Sequence, residues 1–216
     1  ESAVPAATGY SFPSGHTQGA TALYFPLALK AKKAWLKIFS VCLFFMVGFS
    51  RMYLGCHTPK DVFVSMGLTV IVSLIIWRFQ SFLLDDSRYL KQIAVILAVL
   101  SFAVVAYALA LENASIIETR YALDCCRASG AGLGFSIGWY IERTKLNFNP
   151  RAGSFLKQFI KLAVGLMMAL IIKKGFSVFF GSFILAKMAE YFILVLWVLV
   201  IYPYLFTQFT AIKATK

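Results

Sequence analysis

The sequence predicts an all-α fold, a polytopic bundle of transmembrane helices with about seven spans. Of the 216 residues, 60% are hydrophobic and 14% are charged, whereas a soluble domain has about 45–50% apolar and about 25% charged residues. The apolar residues form long runs, and the basic residues form short clusters between these runs. This distribution is typical of membrane proteins, in which basic loops set the topology.

Seven apolar segments are candidate spans, because a helix crosses the bilayer in about 20 residues, with a range of about 17–25. The first segment is short and contains Pro26, so we expect its start to lie below the headgroup level. Residues 176–188 are apolar but contain Gly181 and Lys187, which predicts an interfacial or partly inserted stretch. The seven segments run over residues 17–31, 34–50, 59–79, 92–111, 126–141, 156–172 and 189–207.

The fifth segment is rich in glycine, with Gly130, Gly132, Gly134 and Gly138. A phosphate-binding loop is one interpretation, but such a loop follows a β-strand, and here the glycines lie in an apolar helical pattern. The spacing of Gly134 and Gly138 instead matches the small-xxx-small pattern of closely packed membrane helices. We therefore predict a helix–helix contact along this glycine face.

The net charge of +12 does not indicate a nucleic-acid partner, because the basic residues form no continuous basic face. If the N-terminus is outside, 14 of the 21 Lys and Arg residues lie in cytoplasmic loops and flanks. The positive-inside rule therefore predicts that residues 1–16 and 50–58 are extracytoplasmic. The cysteines, which have no zinc-site spacing, are predicted to be small packing residues. They are Cys42, Cys56, Cys125 and Cys126.

The chain has two histidines, His16 and His57, and each lies next to residues that suit an anion. Two apolar segments separate them, joined by a short lysine-rich turn around Lys32. Because such a hairpin returns the chain to the side on which it started, both histidines should reach the same membrane face.

Two helix N-termini are predicted at this face. Thr58, Pro59 and Asp61 match the N-cap, first and third positions of a helix, and Ser14 is a candidate N-cap for a helix that begins near Gly15. Helix N-termini attract anions through their free N–H groups and dipoles.

Two further features of this face suit a phosphate group. Arg51 adds a planar set of donors that suits phosphate oxygens. Gly15 and Gly55 allow a ligand to approach the backbone closely.

These residues resemble the second and third signature motifs of the type 2 phosphatidic acid phosphatase superfamily. The second motif, Pro-Ser-Gly-His, matches residues 13–16. The third is Ser-Arg, five residues, His, three residues and Asp, and it matches Ser50, Arg51, His57 and Asp61.

The resemblance covers residues 8–80, the predicted phosphatase core. Residues 88–210 are predicted to be additional transmembrane helices of a single membrane domain over residues 1–216. The family's first motif, Lys, six residues and Arg-Pro, should precede Pro13, but no Lys or Arg occurs before Lys30. We therefore expect the sequence to start inside the domain.

The resemblance implies a two-step reaction. His57 attacks phosphorus to form a phosphohistidine, His16 protonates the leaving group and then activates water, and Asp61 orients His57. Arg51 and Ser14, with backbone amides, hold the charge that develops on the phosphate, and the predicted phosphate-binding set also includes Gly15 and Ser50. No metal or other cofactor is expected, because this face has no cluster of carboxylates and both histidines already have roles.

The predicted function is therefore a metal-independent hydrolase of a lipid phosphate or lipid pyrophosphate, with its active site on the extracytoplasmic face of the plasma or inner membrane. The expected partners are the lipid phosphate substrate and membrane lipids, with no nucleic acid and no metal. Two alternatives stay open: a lipid phosphotransferase with the same intermediate, and a catalytically incomplete membrane protein, because the first motif is absent. A sugar phosphate is a further substrate option.

Overall fold

A computed structural model describes residues 12–81, 88–148, 155–181 and 183–207. All the regular structure in these four ranges is helical, and no strand occurs in them. The chain divides into two compact units, Glu1–Asp86 and Ser87–Lys216. The division falls between the predicted phosphatase core and the predicted additional helices.

Three helices joined by two short connections form the first unit. α1 and α2 run antiparallel, because Thr17 near the start of α1 faces Gly48 near the end of α2, whereas Phe25 lies farther along α1 and packs edge-on against Phe44 with ring centroids 6.3 Å apart. The helices are α1 (Gly15–Lys30), α2 (Ala34–Tyr53) and α3 (Pro59–Arg78).

α3 runs parallel to α1. Ser14, just before α1, contacts Ser65 in the early part of α3. At the other end, the Lys30 ammonium lies 5.9 Å from the centre of the Trp77 ring. The start of α1 and the start of α3 therefore lie at the same end of this unit.

The core of the first unit is small and depends on one glycine. Phe44, Val62 and Met66 are its buried hydrophobic residues. A Cβ atom on Gly48 would lie 2.9 Å from the Val62 Cγ1 atom and closer still to the Met66 Cε atom. A side chain at residue 48 would therefore displace Met66 and either strain Val62 or separate α2 from α3.

Four helices form the second unit, and two of them continue as π-helical segments. α5 extends into a π-helical segment over Glu142–Leu146, and α7 extends into another over Trp197–Ile201. The four helices are α4 (Leu90–Asn113), α5 (Thr119–Ile141), α6 (Phe155–Phe180) and α7 (Ile184–Leu196).

The predicted helix–helix contact of α5 is made with α7 and the segment that follows it, whereas Gly132 faces Ser101 of α4. A Cβ atom on Gly134 would lie 2.7 Å from the Phe192 carbonyl oxygen, and one on Gly138 would lie 3.1 Å from the Leu199 side chain. Gly130 is pressed in the same way against the backbone of Met188. The helix–helix contact is confirmed, and it needs residues without side chains because the backbones touch.

The predicted count of seven spans is not confirmed. Within the described residues, five helices are long and apolar enough to cross a membrane: α2, α3, α4, residues 158–180 and residues 184–207. α1 has 16 residues, which gives about 24 Å at 1.5 Å per residue, less than the roughly 30 Å of a hydrocarbon core. α5 is long enough but carries several charged residues, among them Arg120, Asp124 and Arg127.

The predicted interfacial stretch at residues 176–188 is also different in the structure. Its first residues complete α6, Gly181 makes a turn with φ +56°, and Ile184 begins α7. These residues therefore belong to the two long helices and to the turn that joins them.

Candidate active site

All of the predicted site residues lie in the first unit, and the loop between α2 and α3 positions His57. Gly55 has φ +65°, a left-handed conformation that favours glycine. The Gly55 N–H donates to the Met52 carbonyl at 2.9 Å, and the Cys56 N–H donates to the Arg51 carbonyl at 3.1 Å. This tight turn places His57 two residues before the start of α3.

The N-terminus of α3 forms the predicted capping box. The Thr58 hydroxyl accepts a hydrogen bond from the Asp61 N–H at 3.4 Å, and the Asp61 carboxylate accepts one from the Thr58 N–H at 2.8 Å. Pro59 occupies the first helical position, as expected from its fixed φ angle. The predicted roles of these three residues in the helix start are confirmed.

Asp61 lies beside His57 as well as in the capping box. The His57 Nδ1 atom is 4.0 Å from the Asp61 Oδ2 atom, and both side chains are mostly buried. This distance is longer than a hydrogen bond, and Oδ2 is the same atom that accepts from Thr58. Catalytic hydrogen bonds are often long without substrate and shorten when it binds. The orienting role of Asp61 is compatible with this geometry and stays a prediction.

Ser14 connects the second motif to α3. Its backbone N–H donates to the Ser65 hydroxyl at 2.7 Å, and that hydroxyl donates to the Asp61 carbonyl at 2.6 Å. Since Asp61 is four residues from His57, the two motif segments meet at one end of the first unit.

The prediction that the Ser14 side chain caps α1 is wrong. Ser14 occupies the N-cap position, but its hydroxyl makes no capping hydrogen bond. It pairs instead with the Thr17 hydroxyl at 2.9 Å. The Thr17 hydroxyl, three residues later in the chain, is therefore the partner of the Ser14 hydroxyl in place of a backbone N–H group.

One side of the start of α1 is open. His16, the second residue of the helix, is exposed. A Cβ atom on Gly15 would meet no heavy atom of the described residues within 4 Å. The N-terminal turn of α1 therefore leaves room for a ligand next to its backbone.

Arg51 contributes a buried donor to the site. Its Nε atom is buried and makes no hydrogen bond to any residue that the structure describes. A buried donor left unsatisfied costs about 1–3 kcal/mol, so an acceptor supplied by a ligand would relieve this cost. The neighbouring Ser50 differs, because its hydroxyl donates to the Val47 carbonyl at 2.7 Å, and its single proton is thus engaged within α2.

An apolar groove lies beside the site, between α2 and α3. Its volume is about 590 Å³, and it is open to the outside, since Phe49, Tyr53 and Phe63 of its lining are each more than half exposed. Two of its lining residues carry a hydroxyl group, Ser50 of the third motif and Tyr53. The other lining residues are Phe45, Met46, Phe49, Met52, Val62, Phe63 and Met66.

Among the residues that the structure describes, no three His, Cys, Asp or Glu side chains are grouped so that they could hold a metal ion.

Two residues that matter for the geometry of the site, Ser65 and Gly48, were not indicated by the motifs. The only sequence signal for Ser65 is that it lies four residues after Asp61, which places both on one side of a helix.

Comparison with known proteins gives two family matches. Residues 1–85 match the PAP2 superfamily, and residues 126–215 match the transmembrane extension of PAP2 superfamily phosphatases. The second match covers much of the region in which the sequence motifs had indicated only additional membrane helices.

One characterised relative is similar to part of the chain. Undecaprenyl-diphosphatase BcrC of Bacillus subtilis (strain 168) is 37% identical over 82 residues, which is 37% of this chain and 40% of that protein. The chain thus covers less than half of the length of this relative. No solved structure matches the chain significantly.

Proposed function

Because this chain belongs to the type 2 phosphatidic acid phosphatase (PAP2) superfamily and is an integral membrane protein, we propose that it hydrolyses a lipid phosphate or lipid pyrophosphate through a phosphohistidine. The observation that carries the proposal is the hydrogen-bonded contact between the two motif segments. The Ser14 N–H, the Ser65 hydroxyl and the Asp61 carbonyl form one continuous chain of hydrogen bonds.

The proposed first step is attack by His57 on phosphorus. A bond forms between Nε2 and phosphorus, and the bond from phosphorus to the leaving oxygen breaks. The Asp61 carboxylate, 4.0 Å from Nδ1, would favour the tautomer that leaves Nε2 unprotonated. His16 donates a proton to the leaving oxygen, a contribution of about 10²–10⁴ in rate for a placed acid.

The second step regenerates the enzyme. His16, now neutral, removes a proton from a water molecule, and the oxygen of that water attacks phosphorus. The bond between phosphorus and His57 breaks, inorganic phosphate leaves, and both histidines return to their starting protonation states. In the second step His16 thus recovers the one proton that it gave in the first.

The surrounding groups are suited to the charge that develops on the transferred phosphoryl group. The buried and unpartnered Arg51 Nε donor is available to an oxygen of that group. The N-terminus of α1 adds N–H groups and a positive dipole end, and α3 adds mainly its dipole, because its capping box occupies the Thr58 and Asp61 N–H groups. Such preorganised donors commonly contribute the largest share of transition-state stabilisation.

A lipid substrate is favoured over a water-soluble one by the surroundings of the site. The groove between α2 and α3 is lined almost entirely by apolar side chains and includes Ser50, the residue before Arg51. The relative that matches over 82 residues is named as an undecaprenyl-diphosphatase, which acts on a lipid pyrophosphate. We therefore propose that the phosphate enters with its lipid chain still in the bilayer.

The proposed location of the site is the extracytoplasmic face of the plasma or inner membrane. The end of the first unit away from the site would then be cytoplasmic. It holds five basic residues, Lys30, Lys32, Lys33, Lys37 and Arg78, against Arg51 and Lys60 at the site end. A lipid delivered only to the inner leaflet would reach the site after transfer to the outer leaflet.

Trapping of the intermediate tests the proposal. The purified protein in detergent is mixed with a lipid phosphate labelled with radioactive phosphorus and quenched in alkali, in which phosphohistidine survives. We expect label on the wild type, no label on His57→Ala, and unchanged labelling of Lys60→Ala, an exposed residue in the first turn of α3. A His57→Ala protein that keeps more than a few per cent of the phosphate release would refute the assignment of the nucleophile.

A further inference from the structure

Ser65 occupies an unusual place between the two motif segments. It lies in the second turn of α3 and is fully buried. A hydroxyl has one proton to donate and can accept through its lone pairs. Because the Ser14 N–H can only donate, the Ser65 oxygen accepts from it at 2.7 Å and directs its own proton to the Asp61 carbonyl at 2.6 Å. Both hydrogen bonds therefore have a fixed direction.

The second of these bonds is a common local pattern, but the first is not. Ser and Thr in helices often donate to the carbonyl four residues earlier, as Thr69 does to Ser65 at 2.8 Å and Thr21 does to Thr17 at 2.8 Å. Only Ser65 among these three also receives a hydrogen bond from a residue far along the chain, since Ser14 is 51 positions away.

The consequence concerns the two histidines. Ser14 is two residues before His16, and Asp61 is four residues after His57, so the Ser65 hydroxyl connects the two segments through two hydrogen bonds. We propose that Ser65 is a positioning residue for the reaction proposed above. It holds the start of α1 against α3, so that His16 reaches the leaving oxygen of the phosphate that His57 attacks.

Loss of this connection should affect one chemical step more than the others. Ser65→Ala removes the acceptor for the buried Ser14 N–H and frees the start of α1 to move. A displacement of about 1 Å can cost roughly 10²-fold in rate. Because His16 supplies the proton to the leaving group, the loss should depend on how much the leaving group needs that proton.

The experiment compares two water-dispersible substrates of the purified full chain in detergent. One is a short-chain alkyl phosphate, which has a poor leaving group. The other is a nitrophenyl phosphate, whose nitrophenolate group leaves without needing a proton. For Ser65→Ala we expect kcat/KM, which reports formation of the phosphohistidine and not its hydrolysis, to fall roughly 10- to 100-fold on the alkyl phosphate and less than about 3-fold on the nitrophenyl phosphate. His16→Ala should show the same dependence on the leaving group.

The matched control is Thr69→Val, one turn farther along α3. It removes a hydroxyl that donates to the carbonyl four residues earlier, as the Ser65 hydroxyl does, but Thr69 has no hydrogen bond to Ser14. We expect its kcat/KM to stay within about 2-fold of the wild type on both substrates, because the hydrogen bond of Thr69 stays within α3. A general loosening of α3 would instead slow both variants on both substrates.

A second variant keeps the test decisive if Ser65→Ala does not fold, as judged by size-exclusion chromatography. Ser65→Cys preserves nearly the same volume, but a thiol is a weak donor and a weak acceptor. It should show the same selective loss, of smaller size. Equal losses on the two substrates, or losses no larger than those of Thr69→Val, would overturn the role of Ser65.

Failure of the inference is distinguishable from failure of the proposed function. If the wild type releases no phosphate from any substrate, the proposed function and the inference both fall. If the wild type is active and His16→Ala shows the dependence on the leaving group, but neither Ser65 variant does, only the positioning role falls.

Discussion

Gly48 offers a sharp test of how α2 packs against α3. A Cβ atom at this position would lie 2.9 Å from Val62 Cγ1 and closer to Met66 Cε. The Met66 end can rotate away, but Val62 is fully buried, and a β-branched side chain in a helix has one strongly preferred rotamer. Gly48→Ala must therefore separate the two helices or strain Val62.

The magnitude follows from two opposing effects. Inserting a methyl group into a packed core typically costs about 1–3 kcal/mol. Replacing glycine by alanine inside a helix gains about 0.8–1.0 kcal/mol in helix propensity. Gly67→Ala in α3 isolates the second effect, because a Cβ atom there would meet no heavy atom within 4 Å. The difference in unfolding free energy between the two variants should thus be about 1–3 kcal/mol, with Gly48→Ala the less stable.

Equilibrium unfolding in mixed micelles of increasing SDS content, followed by circular dichroism, measures this difference. We expect Gly67→Ala to unfold at or slightly above the SDS fraction of the wild type, and Gly48→Ala to unfold clearly below it. If the two variants unfold together, or if Gly48→Ala is the more stable, the close approach of α2 and α3 at this glycine is not a feature of the folded protein.

Three further predictions concern the reaction and the topology. His16→Ala should lower kcat/KM, which reports the first step, by about 10²–10⁴ for an alkyl phosphate but far less for a nitrophenyl phosphate, and equal losses in kcat/KM would indicate that His16 only binds. Arg51→Lys keeps the charge but loses the planar set of donors, so kcat should fall by roughly 10²-fold in steady-state assays; full activity would exclude a phosphate contact at that residue. The third prediction uses a variant without the native cysteines. A cysteine at Thr8, which lies outside the described residues, should react with an impermeant maleimide in intact cells, and one at Ala34 should not. The reverse pattern would place the site in the cytoplasm.

The sequence determined the features that depend on neighbours along the chain. The capping box of Thr58 and Asp61 involves residues three apart, so its hydrogen bonds follow once α3 begins at Pro59. The left-handed turn at Gly55 is equally local. The prediction that Ser14 caps α1 failed even though it was local, because the Thr17 hydroxyl offered a better partner than the backbone.

The glycine pattern of α5 lies between the local and the long-range features. The spacing of Gly134 and Gly138 predicts that one face of α5 is narrow enough for close packing. It does not say which helix fills that face. Only the folded chain places α7 there, with the Phe192 carbonyl directly against Gly134.

The tertiary structure alone decided which residues far apart in sequence meet. Nothing in the pattern around Ser65 distinguishes it from Thr69, since both donate to the carbonyl four residues earlier. The difference arises because α1 lies parallel to α3 and brings the Ser14 N–H to one hydroxyl and not to the other. Such contacts depend on the crossing and axial position of whole helices, which result from the packing of all their side chains together and not from the spacing of any few residues.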